Sequence, residues 1–273
     1  PFGWAWPKNA HHRSTPAMSQ PDALTLLMVK RHLVQMLPTL VVDALQPQFE
    51  LAEHRLNGVL SHSELAAWQR KILVVPPSQP LQAPVVPRNI RDGIYSALAS
   101  NERFRGSYTL KNGTIRKDQI FNPLGVVLRG HVTYLVATVF DYDDVLLYAM
   151  HRFQRVQAMP GESARMPPGF DLERYALEQQ TLGFPSEHGQ IELVVTFFNN
   201  AGHHLMESPL TADQTIESIA PGQHRIKARL LETGQLLWWL LGFGANVRVD
   251  EPLHLRERLH KTAQEMVKNY SSP

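Results

Sequence analysis

Aromatic and cationic residues occur at strand-like spacing in the middle of this 273-residue chain. Tyr134 lies inside the alternating stretch GHVTYLVAT, which begins at Gly130. Arg116 and Lys117 are adjacent in an earlier stretch of the same kind, and a slip of one residue would exchange the faces on which they lie. Guanidinium and ammonium groups bind phosphate, and an aromatic ring stacks on a nucleobase. These residues predict a surface that binds a phosphorylated partner.

Periodicity alone leaves a second interpretation of Tyr134 open, and favours it. Successive side chains of a strand point to opposite faces, so Tyr134 shares one face with Val132 and Val136. A tyrosine in such a row can fill the core while its hydroxyl is satisfied at the edge.

Basic residues are concentrated near these strands. The whole chain has a formal net charge of +2, whereas residues 102–131 hold six lysines and arginines against two acidic residues, a local charge of +4. A basic surface on a nearly neutral protein indicates an anionic partner. A solvated sheet face explains the charge equally well.

The sequence contains none of the common enzyme signatures. The GxSxG, P-loop, HExxH and GxGxxG patterns are missing, and the chain has no cysteine. DYDD at residues 141–144 lacks the glycine and distal glutamate of a calcium loop, so it predicts a hairpin turn. The 13 histidines show no convincing metal-ligand spacing. We therefore expect a binding protein without a cofactor or metal, rather than an enzyme.

Membrane and secretion signals are also missing from the sequence. The apolar run LLWWLLGFGA at residues 236–245 is about half of the roughly 20 residues that span a bilayer, so it predicts a buried helix. No secretory signal pattern is present, and the lack of cysteine fits a reducing compartment. We expect a cytoplasmic protein that does not contact a membrane.

Residues 20–73 predict three or four short helices that pack against a neighbour or a second copy of the chain. Ser19 or Asp22 can cap the first helix, and Pro38 and Pro47 can each lie in the first turn of a new one. The predicted apolar stripe consists of Leu26, Val29, Leu33, Leu37 and Leu40. Five prolines in PPSQPLQAPVVP, residues 76–87, then predict a semi-rigid linker.

A helix at residues 88–100 precedes a series of short strands. Strands are predicted at residues 103–110, 115–121, 124–128, 132–139 and 145–150. The turn KNGT at residues 111–114 contains the Asn-Gly pair of a tight hairpin. Short strands joined by tight turns over some fifty residues predict a small barrel.

The last ninety residues predict a second arrangement of strands and helices. FPSEHG at residues 184–189 indicates a boundary. Strands are predicted at residues 190–198, 223–231 and 246–249, and helices at 200–206, at 234–241 and from Pro252 onward. This order predicts an α+β sandwich with helices on one side of a sheet.

The stretch NPLGVVLRGHVTYLVAT, followed by LLYAMHRFQRVQ and FDLERY, resembles the WYL domain of bacterial transcriptional regulators. The Trp-Tyr-Leu tripeptide of that family corresponds to Thr133, Tyr134 and Leu135, and its Pro-Leu-Gly corresponds to residues 123–125. The Asp-Arg-Ile of the family keeps only its arginine, Arg152.

The flanking segments extend this resemblance over nearly the whole chain. SPLTADQTIE and LLWWLLGFGANVRVDEPLHLRERL are similar to the extension that follows many WYL domains, and GWAW and MLPTLVVDAL are similar to the helical connector before them. In such regulators a winged helix-turn-helix precedes the connector, and we expect that module to be missing from this chain.

The resemblance implies a division of the chain and an α+β fold class. We expect a helical connector and dimerisation segment at residues 1–75, the linker at 76–87, and an SH3-like or Sm-like β-barrel at 88–180. An α+β domain of ferredoxin-like type is expected at residues 189–273.

The resemblance also implies an effector site and a regulatory role. The effector-binding candidates are Tyr108, Arg116, Lys117, Arg129, Tyr134, His151 and Arg152. Tyr134 would stack or hydrogen-bond, Arg152 and Lys117 would hold phosphate, and His151 would donate a hydrogen bond. The expected partners are a nucleotide or single-stranded nucleic-acid effector, a second copy of the chain, and promoter DNA through the missing domain. The alternative is a module that binds nucleic acid directly.

Overall fold

The chain folds into two units that each combine helices with one antiparallel sheet. A computed structural model describes residues 18–32, 34, 37–57, 71–72, 79, 81–178 and 181–271. The units comprise Pro1–Pro168 and Gly169–Pro273. The α+β class predicted from the sequence is therefore confirmed. Within the described part of the chain, we find no helix that combines the length and the apolar character needed to cross a bilayer.

Two helices, α1 (Gln20–His32) and α2 (Thr39–Asn57), begin the described part of the first unit. The Ser19 hydroxyl accepts a hydrogen bond from the Asp22 N–H, and the Asp22 carboxylate accepts one from the Ser19 N–H, both at 3.2 Å. This reciprocal cap fixes where α1 begins.

The apolar contact between α1 and α2 differs from the predicted stripe. The buried residues of this contact are Ala23, Leu27, Ala52 and Leu56. Leu40 is 81% exposed, so the predicted stripe is wrong at that position, and Pro47 lies inside α2 rather than in the first turn of a new helix. The remainder of the predicted helical block lies outside the described residues.

A third helix, α3 (Arg88–Ser100), matches the prediction and covers the first sheet. It buries Ile90, Ile94 and Ala97 in the main core of this unit, and Asn101 in a left-handed conformation ends it. The described residues of the proline-rich segment, 79 and 81–87, form neither helix nor strand.

The first sheet has five antiparallel strands in the order β4-β3-β2-β1-β5. The strands are β1 (Glu102–Thr109), β2 (Ile115–Arg129), β3 (Val132–Val139), β4 (Leu146–Ala149) and β5 (Phe153–Ser163). Leu110 donates its N–H to the Thr114 carbonyl at 2.8 Å, which closes the predicted hairpin turn between β1 and β2. The β5 strand is missed by the sequence because its side chains are mostly exposed and do not alternate.

The first sheet is open but strongly curled, so the predicted closed barrel is wrong. A flat sheet of five strands would hold its edges about 19 Å apart. The 3₁₀ turn Met150–Arg152 joins edge strand β4 to edge strand β5 and spans only about 8 Å. The Ala149 N–H on β4 also donates to the Tyr108 hydroxyl on β1 at 3.1 Å, although two strands separate β4 from β1 in the sheet. The two edges therefore approach each other without forming a ladder among the described residues.

The long strand β2 contains two irregularities that the sequence does not place. Pro123, at which the prediction ends one strand and starts another, lies within β2 where the register shifts against β3. A bulge is a position where a strand tolerates proline because no ladder hydrogen bond is needed there. A second shift lies between β1 and β2, next to Asp118, which has a φ of 52°.

The second unit contains a four-stranded antiparallel sheet in the order β7-β8-β6-β9. Its elements are β6 (Pro185–Phe197), β7 (Thr215–Ala220), β8 (Gln223–Thr233), α4 (Gly234–Gly242), β9 (Val247–Glu251) and α5 (Leu253–Ser271). The Thr233 hydroxyl accepts from the Leu236 N–H at 3.0 Å and so caps α4. The apolar core lies between the sheet and these two helices.

Three predictions for the second unit need correction. The β6 strand begins at Pro185, five residues before the predicted start at residue 190. The strand β7 has no counterpart among the predicted elements. The predicted helix at residues 200–206 is only the 3₁₀ turn His203–Met206.

Asn122 is a buried polar residue whose side chain makes four hydrogen bonds in the first unit. Its Oδ1 accepts from the Arg103 side chain at 2.8 Å and from the Arg165 N–H at 2.9 Å. Its Nδ2 donates to the Thr138 hydroxyl at 3.0 Å and to the Phe140 carbonyl at 2.8 Å. One amide therefore joins β1, β2, the end of β3 and the segment after β5.

Replacing this amide should strongly destabilise the first unit. Asn122→Ala leaves buried donors and acceptors without partners, so we expect the free energy of unfolding to fall by about 2 to 4 kcal/mol. Urea denaturation followed by circular dichroism measures the change. The exposed hairpin residue Asn112 supplies a control, Asn112→Ala, which should cost less than about 1 kcal/mol. Equal losses in the two variants would contradict this account.

Candidate functional site

A cavity of about 350 Å³ opens in the first sheet where β1, β2, β4 and the 3₁₀ turn meet. Its lining combines aromatic, apolar and cationic side chains. The lining residues are Tyr108, Leu110, Lys111, Arg116, Gln119, Phe121, Val139, Leu146, Leu147, Tyr148 and Arg152. The volume lies at the lower end of the range typical of small-molecule pockets.

Tyr108 forms the floor of this cavity. Its ring packs edge-on against Tyr148, with centroids 5.1 Å apart, and against Phe153 at 5.0 Å. Its hydroxyl is held by the Ala149 N–H. Edge-on packing is a favourable geometry for aromatic pairs, so the ring position is fixed from two sides while the hydroxyl faces the polar groups of the cavity.

Arg116 enters the cavity because of the bulge in β2. Phe104 pairs with Phe121 and Gly106 with Gln119, so a regular ladder would place Lys117 opposite Tyr108. Lys117 and Asp118 instead share the position opposite Ser107, and Arg116 becomes the partner of Tyr108. One extra residue in a strand moves all the following side chains to the other face. Because of the bulge, Arg116 lines the cavity and Lys117 does not.

Arg152 reaches the cavity from the 3₁₀ turn Met150–Arg152. The turn follows β4 directly, and the first residue of β5, Phe153, is buried in the aromatic core. Because both ends of the turn are fixed, the arginine is presented beside the Tyr108 hydroxyl.

The cavity carries positive charge that nearby carboxylates do not neutralise. Lys111, Arg116 and Arg152 line it, and the described lining contains no aspartate or glutamate. None of the three forms an ion pair with another described residue. An apolar wall beside unpaired cations attracts an anion, since the low dielectric of the wall strengthens the interaction.

The acidic turn after β3 shows the contrasting arrangement. Asp141 lies 3.3 Å from the Arg103 guanidinium, and Asp143 lies 2.8 Å from that of Arg165. These carboxylates therefore neutralise arginines of the sheet rim, in agreement with the hairpin turn predicted for DYDD.

Comparison with known domain families decides what the two units are. Residues 90–158 match the WYL domain model, and residues 189–267 match the WCX domain model. The chain contains a WYL domain and a WCX domain. The cavity described above belongs to the WYL domain.

Similar solved structures are distant, and no curated protein sequence matches the chain. One is proteasome accessory factor B/C (PafBC) of Arthrobacter aurescens, with 16% identity, 74% of this chain covered and a TM-score of 0.32. Another is a CRISPR Cas-related protein, with 14% identity, 67% of this chain covered and a TM-score of 0.41. The matches cover only 30% and 51% of those two proteins. Similarities at this distance do not indicate what the WYL domain binds.

Burial and charge shift the ionisation of the groups around the cavity. Burial raises the pKa of the Tyr108 hydroxyl, with a further rise from Tyr134, while the Ala149 N–H and Arg152 oppose the rise. Burial and the neighbouring Tyr108 raise the pKa of Tyr148 to about 12, and the charge of Arg116 opposes this. Both phenols therefore keep their protons at neutral pH and can donate hydrogen bonds to an anion.

The structure brings together three of the seven predicted site residues, Tyr108, Arg116 and Arg152. Lys117 is exposed outside the described lining, and Arg129 lies at the end of β2, next to the turn into β3. These two cations do not contribute to the cavity.

Tyr134 and His151 lie near the cavity without lining it. Tyr134 is half-buried, and its neighbour Leu135 takes the core position on β3. Burial first, and then Arg152, lowers the pKa of His151, so its imidazole is neutral near pH 7. Its buried Nδ1 has no hydrogen-bond partner among the described residues.

Sequence reasoning missed several lining residues, most notably Lys111 and Tyr148. Lys111 is the first residue of the hairpin turn after β1, so the predicted turn alone places it close to Tyr108. Tyr148 pairs with the buried Leu135 across the β3–β4 ladder, and this pairing between strands is not visible within the short apolar sequence of β4.

The raised pKa of Tyr148 predicts a pH-dependent stability of the WYL domain. The ordinary tyrosine pKa is 10.0, and that of folded Tyr148 is about 12. The contribution of this group is fully present below pH 10 and is lost as the pH rises to 12, because only the unfolded state ionises easily in that window. Tyr148→Phe should therefore reduce the fall in the free energy of unfolding across this window, as measured by urea denaturation. The exposed-site variant Tyr142→Phe is the control, and identical pH profiles for the two variants would disprove the assignment.

Proposed function

We propose that this chain is the effector-sensing and homodimerising region of a bacterial transcriptional regulator. The effector is a nucleotide or a short single-stranded nucleic acid, and it binds in the WYL cavity. Three cations without carboxylate partners beside an aromatic and apolar wall carry this proposal. The DNA-reading module is the winged helix-turn-helix that precedes the connector in regulators of this type.

The cavity supplies groups for each part of such an effector. Arg116 and Arg152 face the same space and can hold a phosphate with charge-assisted hydrogen bonds. The hydroxyls of Tyr108 and Tyr148 are protonated donors for the remaining oxygens. The leucines of β4, Leu146 and Leu147, provide apolar contact for a base or sugar. Tyr134 is not among the described residues that line the cavity.

Packing and hydrogen-bond contacts connect the cavity to the N-terminal helices. Arg152 immediately precedes β5, and Val156 on β5 packs against Gly93 on α3, where a Cβ would approach the valine to 2.7 Å. The Arg91 side chain on α3 donates to the Thr39 hydroxyl at the start of α2 at 3.0 Å. An effector that draws Arg152 inward would favour one arrangement of β5, α3 and α2, which is a shift between two populated states.

The N-terminal helices offer a surface for dimerisation. On α2, Leu40 is 81% exposed and Leu51 is 53% exposed, and Val41 is also exposed. Apolar side chains of this size on one helix are more typical of a protein interface than of a solvated surface. We assign the dimer contact to residues 1–75, in which α2 lies.

We also propose a fold type and residue bounds for each of the two domains. The curl of the first sheet supports an SH3-like WYL domain at residues 88–180, after the linker at 76–87. The strand order β7-β8-β6-β9 supports a ferredoxin-like domain at residues 189–273. As the sensor of a transcriptional regulator the chain acts in the cytoplasm and without catalysis.

Two adjacent cations provide a matched test of the effector site. Arg116→Ala and Lys117→Ala remove the same charge from neighbouring exposed positions, but only Arg116 lines the cavity. Arg116→Ala should weaken binding of short oligonucleotides or mononucleotides by about 10- to 100-fold, and Lys117→Ala by less than about twofold. Isothermal titration calorimetry against linear and cyclic nucleotides and short single strands measures both.

Arg152→Ala should weaken the same titrations as Arg116→Ala does. The melting temperatures of Arg116→Ala and Lys117→Ala supply the control, because exposed substitutions change stability by less than about 0.5 kcal/mol. Arg152 is half-buried, so circular dichroism checks that Arg152→Ala is folded. Equal losses for Arg116→Ala and Lys117→Ala would place the binding surface outside the cavity.

Exposed cations on one face of β1, β2 and β5 favour one second candidate, a module that binds nucleic acid directly. Arg105 on β1 and Arg155 on β5 are exposed, as is Lys117 on the β2 bulge. A strand of nucleic acid laid along these three positions would contact several phosphates without entering the cavity.

Salt dependence separates the two candidates. Binding in the cavity uses at most three cations, so the slope of log Kobs against log salt should be no steeper than about −2 for a single strand. A strand of nucleic acid along the outer face engages Arg105, Lys117 and Arg155 together with the exposed Lys111 and Arg116, so it uses about five phosphate contacts and gives a steeper slope. Fluorescence anisotropy of a labelled oligonucleotide between low and physiological salt measures the slope, and a value much steeper than about −2 would favour the direct module.

A further inference from the structure

Three potential metal ligands come together in the WCX domain, far from each other in sequence. His188 lies near the start of β6, Glu232 near the end of β8, and His254 in the first turn of α5. The ligand atoms of the three side chains all lie within 4.8 Å of one another. Their separation along the chain explains why the sequence gives no metal-site signal.

Glu232 is the buried member of this cluster and is incompletely satisfied. It is only 2% exposed. Its Oε2 accepts a hydrogen bond from the Nε2 of His254 at 2.5 Å. Its Oε1 is buried and has no partner among the described residues. A buried carboxylate oxygen without a partner is unfavourable, so this oxygen requires a cationic or donor group that the described side chains do not supply.

A local distortion of β6 brings His188 over this carboxylate. Pro185 pairs with Thr233 and Gln190 with Leu231, so β6 has three more residues than β8 between these two pairs. Gly189, with a φ of 62°, allows the extra residues to bend outward. The His188 ring then lies on the His254 ring, with centroids 3.9 Å apart.

We propose that His188, Glu232 and His254 form a binding site for a divalent transition-metal ion, of which Zn²⁺ is the best match. Two imidazole nitrogens and one carboxylate oxygen are ligands that Zn²⁺ prefers, at about 2.0 to 2.2 Å. Ligand atoms around such an ion lie about 3.3 Å apart, so the His254–Glu232 pair opens by less than about 1 Å when the metal replaces the bridging proton.

A simple ion pair explains less of the arrangement than a metal site does. A His254–Glu232 pair satisfies one carboxylate oxygen, but leaves Oε1 unpaired and gives His188 no role. A divalent ion provides charge for both carboxylate oxygens and uses His188. Because the His188 side chain is exposed, the fourth position of the ion faces solvent and takes water or a ligand from a partner. The bound ion would link the start of α5 to the two central strands of the sheet, β6 and β8.

Zinc titration of the full chain tests the site. The variants are His188→Ala and Glu232→Gln, and the control is His203→Ala, an exposed histidine of the same unit that lies outside the cluster. Isothermal titration calorimetry should show at least about a tenfold weaker Kd for Zn²⁺ in each site variant, since loss of groups that merely orient metal ligands already costs 10- to 100-fold. His203→Ala should bind as the wild type does.

The comparison between variants is independent of other histidines. His11 and His12 lie outside the described residues, and any zinc they bind is the same in all three variants. A second readout is the melting temperature, which Zn²⁺ should raise in the wild type and in His203→Ala but not in His188→Ala. Circular dichroism checks that Glu232→Gln is folded; if it is not, His188→Ala, which alters only an exposed ring, decides the result. A His188→Ala protein that binds zinc with wild-type affinity overturns the proposal, as does a wild type that binds none.

Discussion

The cavity of the first unit depends on the curl of its sheet, and one hydrogen bond, from the Ala149 N–H to the Tyr108 hydroxyl, bridges that curl. The two residues belong to strands that lie three places apart in the sheet order, so the bond exists only if the sheet curls. The same curl lets a three-residue turn join the two edge strands and presents Arg152 beside the phenol. Tyr108 therefore belongs both to the aromatic core and to the lining of the cationic cavity.

The two units contain unpaired charged groups of opposite sign. In the WYL domain, cations surround a cavity whose described lining contains no carboxylate, and the unpaired charge is suited to an anion. In the WCX domain, a carboxylate is buried at 2% exposure with one oxygen unpaired, and the unsatisfied charge is suited to a cation. In each case the groups come from the ends of strands, from a turn or from the first turn of a helix, where the scaffold fixes the position of the side chain.

The sequence predicts much of this fold because many of its signals are local. Asn-Gly in the hairpin, the Ser19–Asp22 cap and the apolar stretch of β3 each act within a few residues, and the structure contains the turn, the cap and the strand. Bulges, the curl of the sheet and the assembly of His188, Glu232 and His254 depend on contacts between distant segments, so no window of the sequence contains them. The exposed strand β5 is missed for a further reason, because an edge strand needs no apolar alternation to pair with its neighbour.

The bulge at Lys117 and Asp118 changes how this chain should be compared with its relatives. Alternate residues of a regular strand share a face, so counting by two from the buried Phe121 would place Lys117 in the cavity. The bulge makes this count wrong, and Arg116 lines the cavity instead. In a chain with a regular ladder at this point, the cation would have to lie one residue nearer to the phenylalanine to be opposite the tyrosine. Ladder position, and not distance along the chain, decides which cation lines this cavity.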